Sequence, residues 1–70
     1  MKAGDIVRTL IDPTNTDYVA AGLHKGMVGI VTEKPRRIWG ADRWIAEVRF
    51  FEAPDKIWAW SRNALEVVDA

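Results

Sequence analysis

A short basic stretch in the middle of the chain holds the residues best suited to binding chemistry. Ten positions carry four basic residues and one acid, namely Lys34, Arg36, Arg37, Arg43 and Asp42. Guanidinium and ammonium groups pair with phosphates or carboxylates. Trp39, in the same stretch, offers a ring on which a nucleobase or an apolar side chain can pack. The stretch therefore predicts either a phosphate-binding loop or a salt-sensitive protein contact.

Side chains suited to catalysis are few and scattered. The single histidine, His24, stands beside Lys25 in a predicted turn. Ser61 has no His–Asp pair placed by sequence to activate it, so we expect it to bond backbone at a turn. The chain has no cysteine and no phosphate-binding glycine motif, and residues 12–23 lack the glycine and glutamate of an EF-hand loop. We expect no catalytic residue, no metal and no cofactor, and a chain that is not an enzyme by itself.

Four tryptophans in 70 residues are a high tryptophan content. The alternation of the predicted strands indicates that Trp44 and Trp60 lie mainly in the core, and it places Trp58 on the same face as Trp60. Trp39 and Tyr18 fall in predicted loops, where each either folds back over the end of the core or serves as an exposed anchor for a partner. Tryptophan, tyrosine and arginine are enriched in interface hot spots, which makes these side chains candidate binding residues.

The length and net charge of the chain limit the number of domains and the classes of partner. Seventy residues predict one domain, residues 1–70, and ten basic and ten acidic side chains give zero net charge. A dedicated nucleic-acid binder usually carries a basic excess, which this chain lacks overall. No apolar run approaches the ~20 residues of a membrane span, and the polar start predicts no signal peptide. We therefore expect a cytoplasmic protein with no membrane contact.

The alternation of side chains predicts an all-β fold. Residues 44–50 alternate apolar and polar positions over a whole strand, and four more strands are predicted over 5–11, 27–33, 57–60 and 65–68. The connections are two long loops over 12–26 and 36–42, a hairpin loop over 52–56, one helical turn over 18–21 and a 3₁₀ turn over 61–64. The predicted core is Val7, Met27, Val31, Ala46, Val48, Phe50, Trp60 and Leu65.

Two stretches resemble known families of small barrels. Residues 22–31, with a Gly-Lys-Gly-like turn at Lys25 and Gly26 before a strand, are similar to the KOW element of ribosomal proteins and elongation factors. Residues 58–67 resemble the strand, 3₁₀ turn and strand that end many SH3-like domains. The resemblance implies an SH3-like barrel of about five antiparallel strands. An insertion over 11–21 departs from a compact KOW unit.

The same ending also occurs in small accessory subunits and in the type II dihydrofolate reductase. That reductase has a pore-lining glutamine where this chain has Trp58, so the resemblance does not imply reductase activity. Classical SH3 domains carry an Ala-Leu-Tyr-Asp-Tyr sequence and paired tryptophans that this chain lacks. We therefore do not predict binding of proline-rich peptides.

The sequence favours a non-catalytic protein-binding module or small accessory subunit, with a homo-oligomer possible. Its alternatives are a KOW-like module that binds RNA or DNA through Lys25, Lys34, Arg36 and Arg37, and a subunit of an oligomeric enzyme with a site between chains. The predicted binding residues are Tyr18, Lys25, Arg36, Arg37, Trp39, Arg43 and Trp58.

Overall fold

The computed structural model describes residues 1–38 and 43–68, and in them the chain is all-β apart from two short helical segments. The strands are β1 (Ile6–Thr9), β2 (Val28–Val31), β3 (Arg36–Arg37), β4 (Trp44–Phe50), β5 (Ala53–Ser61) and β6 (Leu65–Val67). A helix, α1 (Thr16–Ala20), lies between β1 and β2, and a 3₁₀ turn (Arg62–Ala64) precedes β6. The predicted fold class is confirmed.

The sheet is organised around β4. Along one edge of β4, its first residues pair with β3 and its last residues pair with β2. Along the other edge, β4 pairs with β5, so that Ile45 lies between Arg36 of β3 and Ser61 of β5. β1 pairs with β2 and with β6, and every pairing is antiparallel. One curled sheet results, a half-barrel compatible with an SH3-like barrel.

The inner face of the half-barrel holds the core that the alternation predicts. All eight predicted core residues are buried, and Leu23 and Ala64 join them from the two helical connections. Phe50 and Trp60 meet edge to face, with ring centroids 5.7 Å apart. Trp58 lies opposite Val48 on the same face as Trp60, as predicted, and packs against this core while remaining partly exposed.

Gly29 marks a close approach between strands, as a glycine inside a strand indicates. A Cβ atom at this position would lie 2.7 Å from the Arg49 carbonyl oxygen and 2.7 Å from Cγ1 of Val48. Only a residue without a side chain lets β2 pack this tightly against β4.

The prediction that Trp44 lies in the core is wrong. Trp44 is 38% exposed although it shares the face of the buried Ala46. It is the first residue of β4 and lies opposite Arg37, while the Arg62 guanidinium covers its ring at 4.9 Å. Alternation fixes the face of the sheet on which a side chain lies, but not whether the core extends as far as the end of the strand.

Several predicted element boundaries also change. The hairpin loop over 52–56 is instead a tight turn at residues 51–52, and β5 begins at Ala53, opposite Phe50. Residues 36–37, predicted as loop, form β3 because they pair with the start of β4. The predicted helical turn begins two residues earlier, as α1. Ser61 makes no side-chain hydrogen bond to the 3₁₀ turn, which corrects its expected role.

Candidate functional site

A groove of about 620 Å³ lies between the first long loop and the end of β5. Residues 11–15 and Tyr18 line it on the loop side, and residues 59–61 and 63–64 line it on the other. Arg43, just before β4, also lines it. The volume is within the range of about 300–1,000 Å³ found for ligand sites.

Local capping interactions shape the loop wall of the groove. Pro13 and Asn15 begin a turn in which the Asn15 side chain accepts a hydrogen bond from the Asp17 backbone N–H at 2.8 Å, and this caps α1. Gly22, with φ of +87°, ends the helix in the left-handed region that glycine adopts without a steric penalty. The loop therefore holds one defined turn of helix beside β5.

Tyr18 fastens this helix to the sheet. Its hydroxyl donates a hydrogen bond to the Ala59 carbonyl oxygen at 2.7 Å. Its ring meets Trp58 edge to face at 4.7 Å between centroids and lies 5.8 Å from Trp60. Burial raises the pKa of the Tyr18 hydroxyl above its ordinary value of 10. Of the two roles that the sequence left open, the contacts of Tyr18 fit a side chain folded back over the core.

Trp58 is likewise engaged within the chain. Its ring packs on Tyr18, and the Lys56 ammonium lies 5.7 Å from the ring centroid. Its buried indole N–H has no hydrogen-bond acceptor among the described residues. The indole therefore forms part of the surface against which Tyr18 of α1 packs.

One acidic and one basic side chain, Asp12 and Arg43, line the groove. An Asp12 carboxylate oxygen accepts a hydrogen bond from the Lys25 backbone N–H at 2.7 Å, which closes the loop across thirteen positions. Arg43 is exposed, and its side chain makes no ion pair with the part of the chain that the structure describes. Its backbone carbonyl accepts from the Ile38 N–H at 2.9 Å. The groove thus presents a guanidinium that can pair with a carboxylate.

The structure does not gather the other predicted binding residues at this groove. Arg36 pairs with Glu47 at 3.3 Å on the outer face, and Arg37 lies opposite Trp44. Lys25 reaches the groove wall only through its backbone contact to Asp12. Trp39 lies outside the described residues.

Sequence reasoning missed a second surface, formed by Trp44, Arg37 and Arg62. Arg37 and Trp44 are cross-strand neighbours, whose side chains share a face of the sheet, and Arg62 lies over the indole. Of these three residues, only Arg37 was among the binding residues predicted from the sequence. Contact with Arg62 depends on the β4–β5 register, which places Ser61 opposite Ile45.

Residues 1–38 and 43–68 hold no group of three or more histidine, aspartate or glutamate side chains placed to share a metal ion. Nor does any helix in those ranges have the length and apolarity needed to cross a membrane. Comparison with protein-family models, curated proteins and solved structures finds no match.

Proposed function

We propose that this chain is a non-catalytic protein-binding module that holds a segment of its partner in the groove. The observation that carries the proposal is the groove itself, with Tyr18 and Trp60 among its lining residues and Asp12 and Arg43 available for polar contacts. The proposal includes the finer assignment to the SH3-like barrels, in whose classical members ligands lie between two long loops.

The side chains of the groove favour binding over catalysis. Its lining residues include no histidine, and His24 instead places Nδ1 2.8 Å from the Lys25 carbonyl oxygen. Among the described residues, Ser61 lines the groove with no histidine that could act as its base. Amide, hydroxyl, guanidinium and carboxylate groups of this kind suit the backbone and side chains of a peptide.

Arg43 supplies the expected specificity. A partner carboxylate that pairs with its guanidinium would gain a charge-assisted hydrogen bond, and the pairing would weaken with added salt. We therefore expect selected peptides to carry an aspartate or glutamate and to bind less tightly as ionic strength rises.

The test is selection of linear peptides from a random display library on the immobilised chain, followed by affinity measurement. Arg43→Glu should weaken the selected peptides about tenfold or more, because it replaces attraction by repulsion. Arg49→Glu is the matched control, since Arg49 is exposed on the outer face of β4 and does not line the groove. Equal effects of both variants, or failure to select any peptide, would contradict the proposal.

A second candidate function is the binding of single-stranded nucleic acid, favoured by the exposed indole of Trp44 with Arg62 and Arg37 beside it. A base can stack on an indole while guanidinium groups contact phosphates. This surface shares Arg37 with the KOW-like set, whereas Arg36 pairs with Glu47 on the outer face and Lys25 belongs to the first loop.

Fluorescence anisotropy with a labelled 12-nucleotide oligothymidylate tests this candidate. Affinity should fall steeply between about 50 and 200 mM salt, and Trp44→Ala should weaken binding. Phe51→Ala is the control, because Phe51 is an exposed aromatic that follows the last residue of β4, at the opposite end of that strand. Absence of binding at low salt, or equal losses in both variants, would exclude this surface.

A further inference from the structure

Among the described residues no strand pairs with the edge of β5 that borders the groove, where Tyr18 occupies one backbone group, the Ala59 carbonyl oxygen. β5, from Ala53 to Ser61, is the longest strand, and within the described residues it pairs only with β4. A strand with one unpaired edge presents backbone N–H and C=O groups to which another extended chain can bond. The last residues of this edge, 59–61, also line the groove.

The register determines which backbone groups point outward. The Glu47 carbonyl oxygen accepts from the Thr32 N–H at 2.9 Å, so the peptide groups of Glu47 face away from β5. In an antiparallel pair, the residue opposite then also directs its N–H and C=O away from its partner. That residue is Ala59. Its carbonyl oxygen accepts from Tyr18, which agrees with the outward orientation.

Ser61 has the same orientation as Ala59, because residues two apart in a strand repeat the pattern. The N–H groups of Ala59 and Ser61 therefore point out from the edge, about 7 Å apart. Within residues 1–38 and 43–68, neither N–H group donates a hydrogen bond to a loop or to a side chain. Their spacing equals that of alternate carbonyl groups along an extended peptide.

The first half of β5 discourages unselective pairing. Pro54 offers no N–H group, and Asp55 and Lys56 place charges next to it. Proline and charges are the usual protection of an exposed strand edge. Pairing is thereby confined to the end of β5 from Ile57 onward. This favours one short partner segment over long edge-to-edge association between copies of the chain.

We infer that the partner segment binds as an added β-strand along β5, an inference that rests on the proposed function. Two of its carbonyl oxygens accept hydrogen bonds from the N–H groups of Ala59 and Ser61. Alternate side chains then enter the groove, where an acidic one meets Arg43. Recognition in this mode depends on an extended backbone, with main-chain bonds giving affinity and the groove giving specificity.

Hydrogen exchange measured by NMR tests the mode of binding, with the tightest display-selected peptide as probe. Saturation with this peptide should slow exchange of the Ala59 and Ser61 amides about tenfold or more, while the exchange rate of the amide of Glu33, an exposed residue outside the groove, should not change. Replacing single peptide amides by esters, which are weaker acceptors, should lower affinity about fivefold at alternate positions only.

The outcomes separate this inference from the proposed function. Suppose that a peptide binds in an Arg43-dependent way but does not protect the Ala59 and Ser61 amides, and that no ester replacement lowers its affinity more than another. This result would overturn strand addition and leave the proposed binding function standing. Failure to select any peptide would overturn both. Protection at both amides together with the alternating ester pattern would support both.

Discussion

The Tyr18 hydroxyl donates a hydrogen bond to the Ala59 carbonyl oxygen across 41 positions of sequence. α1 has no fully buried residue, so Tyr18, which packs against the core, carries most of the contact between this helix and the sheet. The same bond occupies a carbonyl group on the edge of β5 that borders the groove. Tyr18 therefore positions the loop wall of the groove and covers part of its backbone edge.

Tyr18→Phe should lower the free energy of unfolding by about 1 kcal/mol, because it removes this hydrogen bond and keeps the ring. Urea denaturation followed by tryptophan fluorescence measures the change. Val19→Ala, an exposed position of the same helix, is the control and should have a smaller effect. Equal stability of Tyr18→Phe and the wild type would mean that the bond contributes nothing.

The same hydroxyl predicts a loss of stability in alkali. Burial raises the pKa of Tyr18 in the folded state above 10, so the folded chain favours the neutral form. The resulting stabilisation is fully present below pH 10 and is lost as the pH rises through the folded-state pKa. Unfolding free energy measured from pH 8 to 11.5 should therefore fall more steeply in the wild type than in Tyr18→Phe. Parallel curves would contradict this assignment.

Local patterns in the sequence were sufficient for the core but not for the groove. Val48 and Phe50 were placed correctly because strand alternation is a property of neighbouring residues. The partnership of Tyr18 with Ala59 depends on how the first loop folds against a strand far along the chain. The prediction that Trp44 is a core residue was wrong because its exposure depends on where the sheet extends beyond the core.

Trp44 and Trp60 should differ sharply in their effect on stability. Trp60→Ala removes a buried ring packed on Phe50 and should cost about 3–5 kcal/mol. Trp44→Ala loses mainly its contact with Arg62 and should cost about 1 kcal/mol. Thermal unfolding followed by circular dichroism gives both values. A cost for Trp44→Ala as large as that for Trp60→Ala would place Trp44 in the core after all.

Gly29→Ala should destabilise the sheet by about 2–3 kcal/mol, because the added methyl group collides with the Arg49 backbone and with Val48. Gly26→Ala is the matched comparison. Gly26 has open space around it but a φ of +87°, so its cost is backbone strain of about 1–2 kcal/mol. Chemical denaturation should rank Gly29→Ala as the less stable variant, and the reverse order would show that β2 and β4 can separate to admit a side chain.

Thr9 should prove to be the polar residue on which the base of the first loop depends. It is buried, and its hydroxyl donates to the His24 carbonyl oxygen at 2.8 Å and accepts from the Met27 N–H at 3.0 Å. Thr9→Val keeps the shape but leaves both backbone groups without this partner, which should cost about 2–3 kcal/mol. Thr9→Ser retains the hydroxyl and should cost about 1 kcal/mol for the lost methyl group. Urea denaturation of the two variants separates the roles, since a valine variant as stable as the serine variant would show that packing alone holds the loop base.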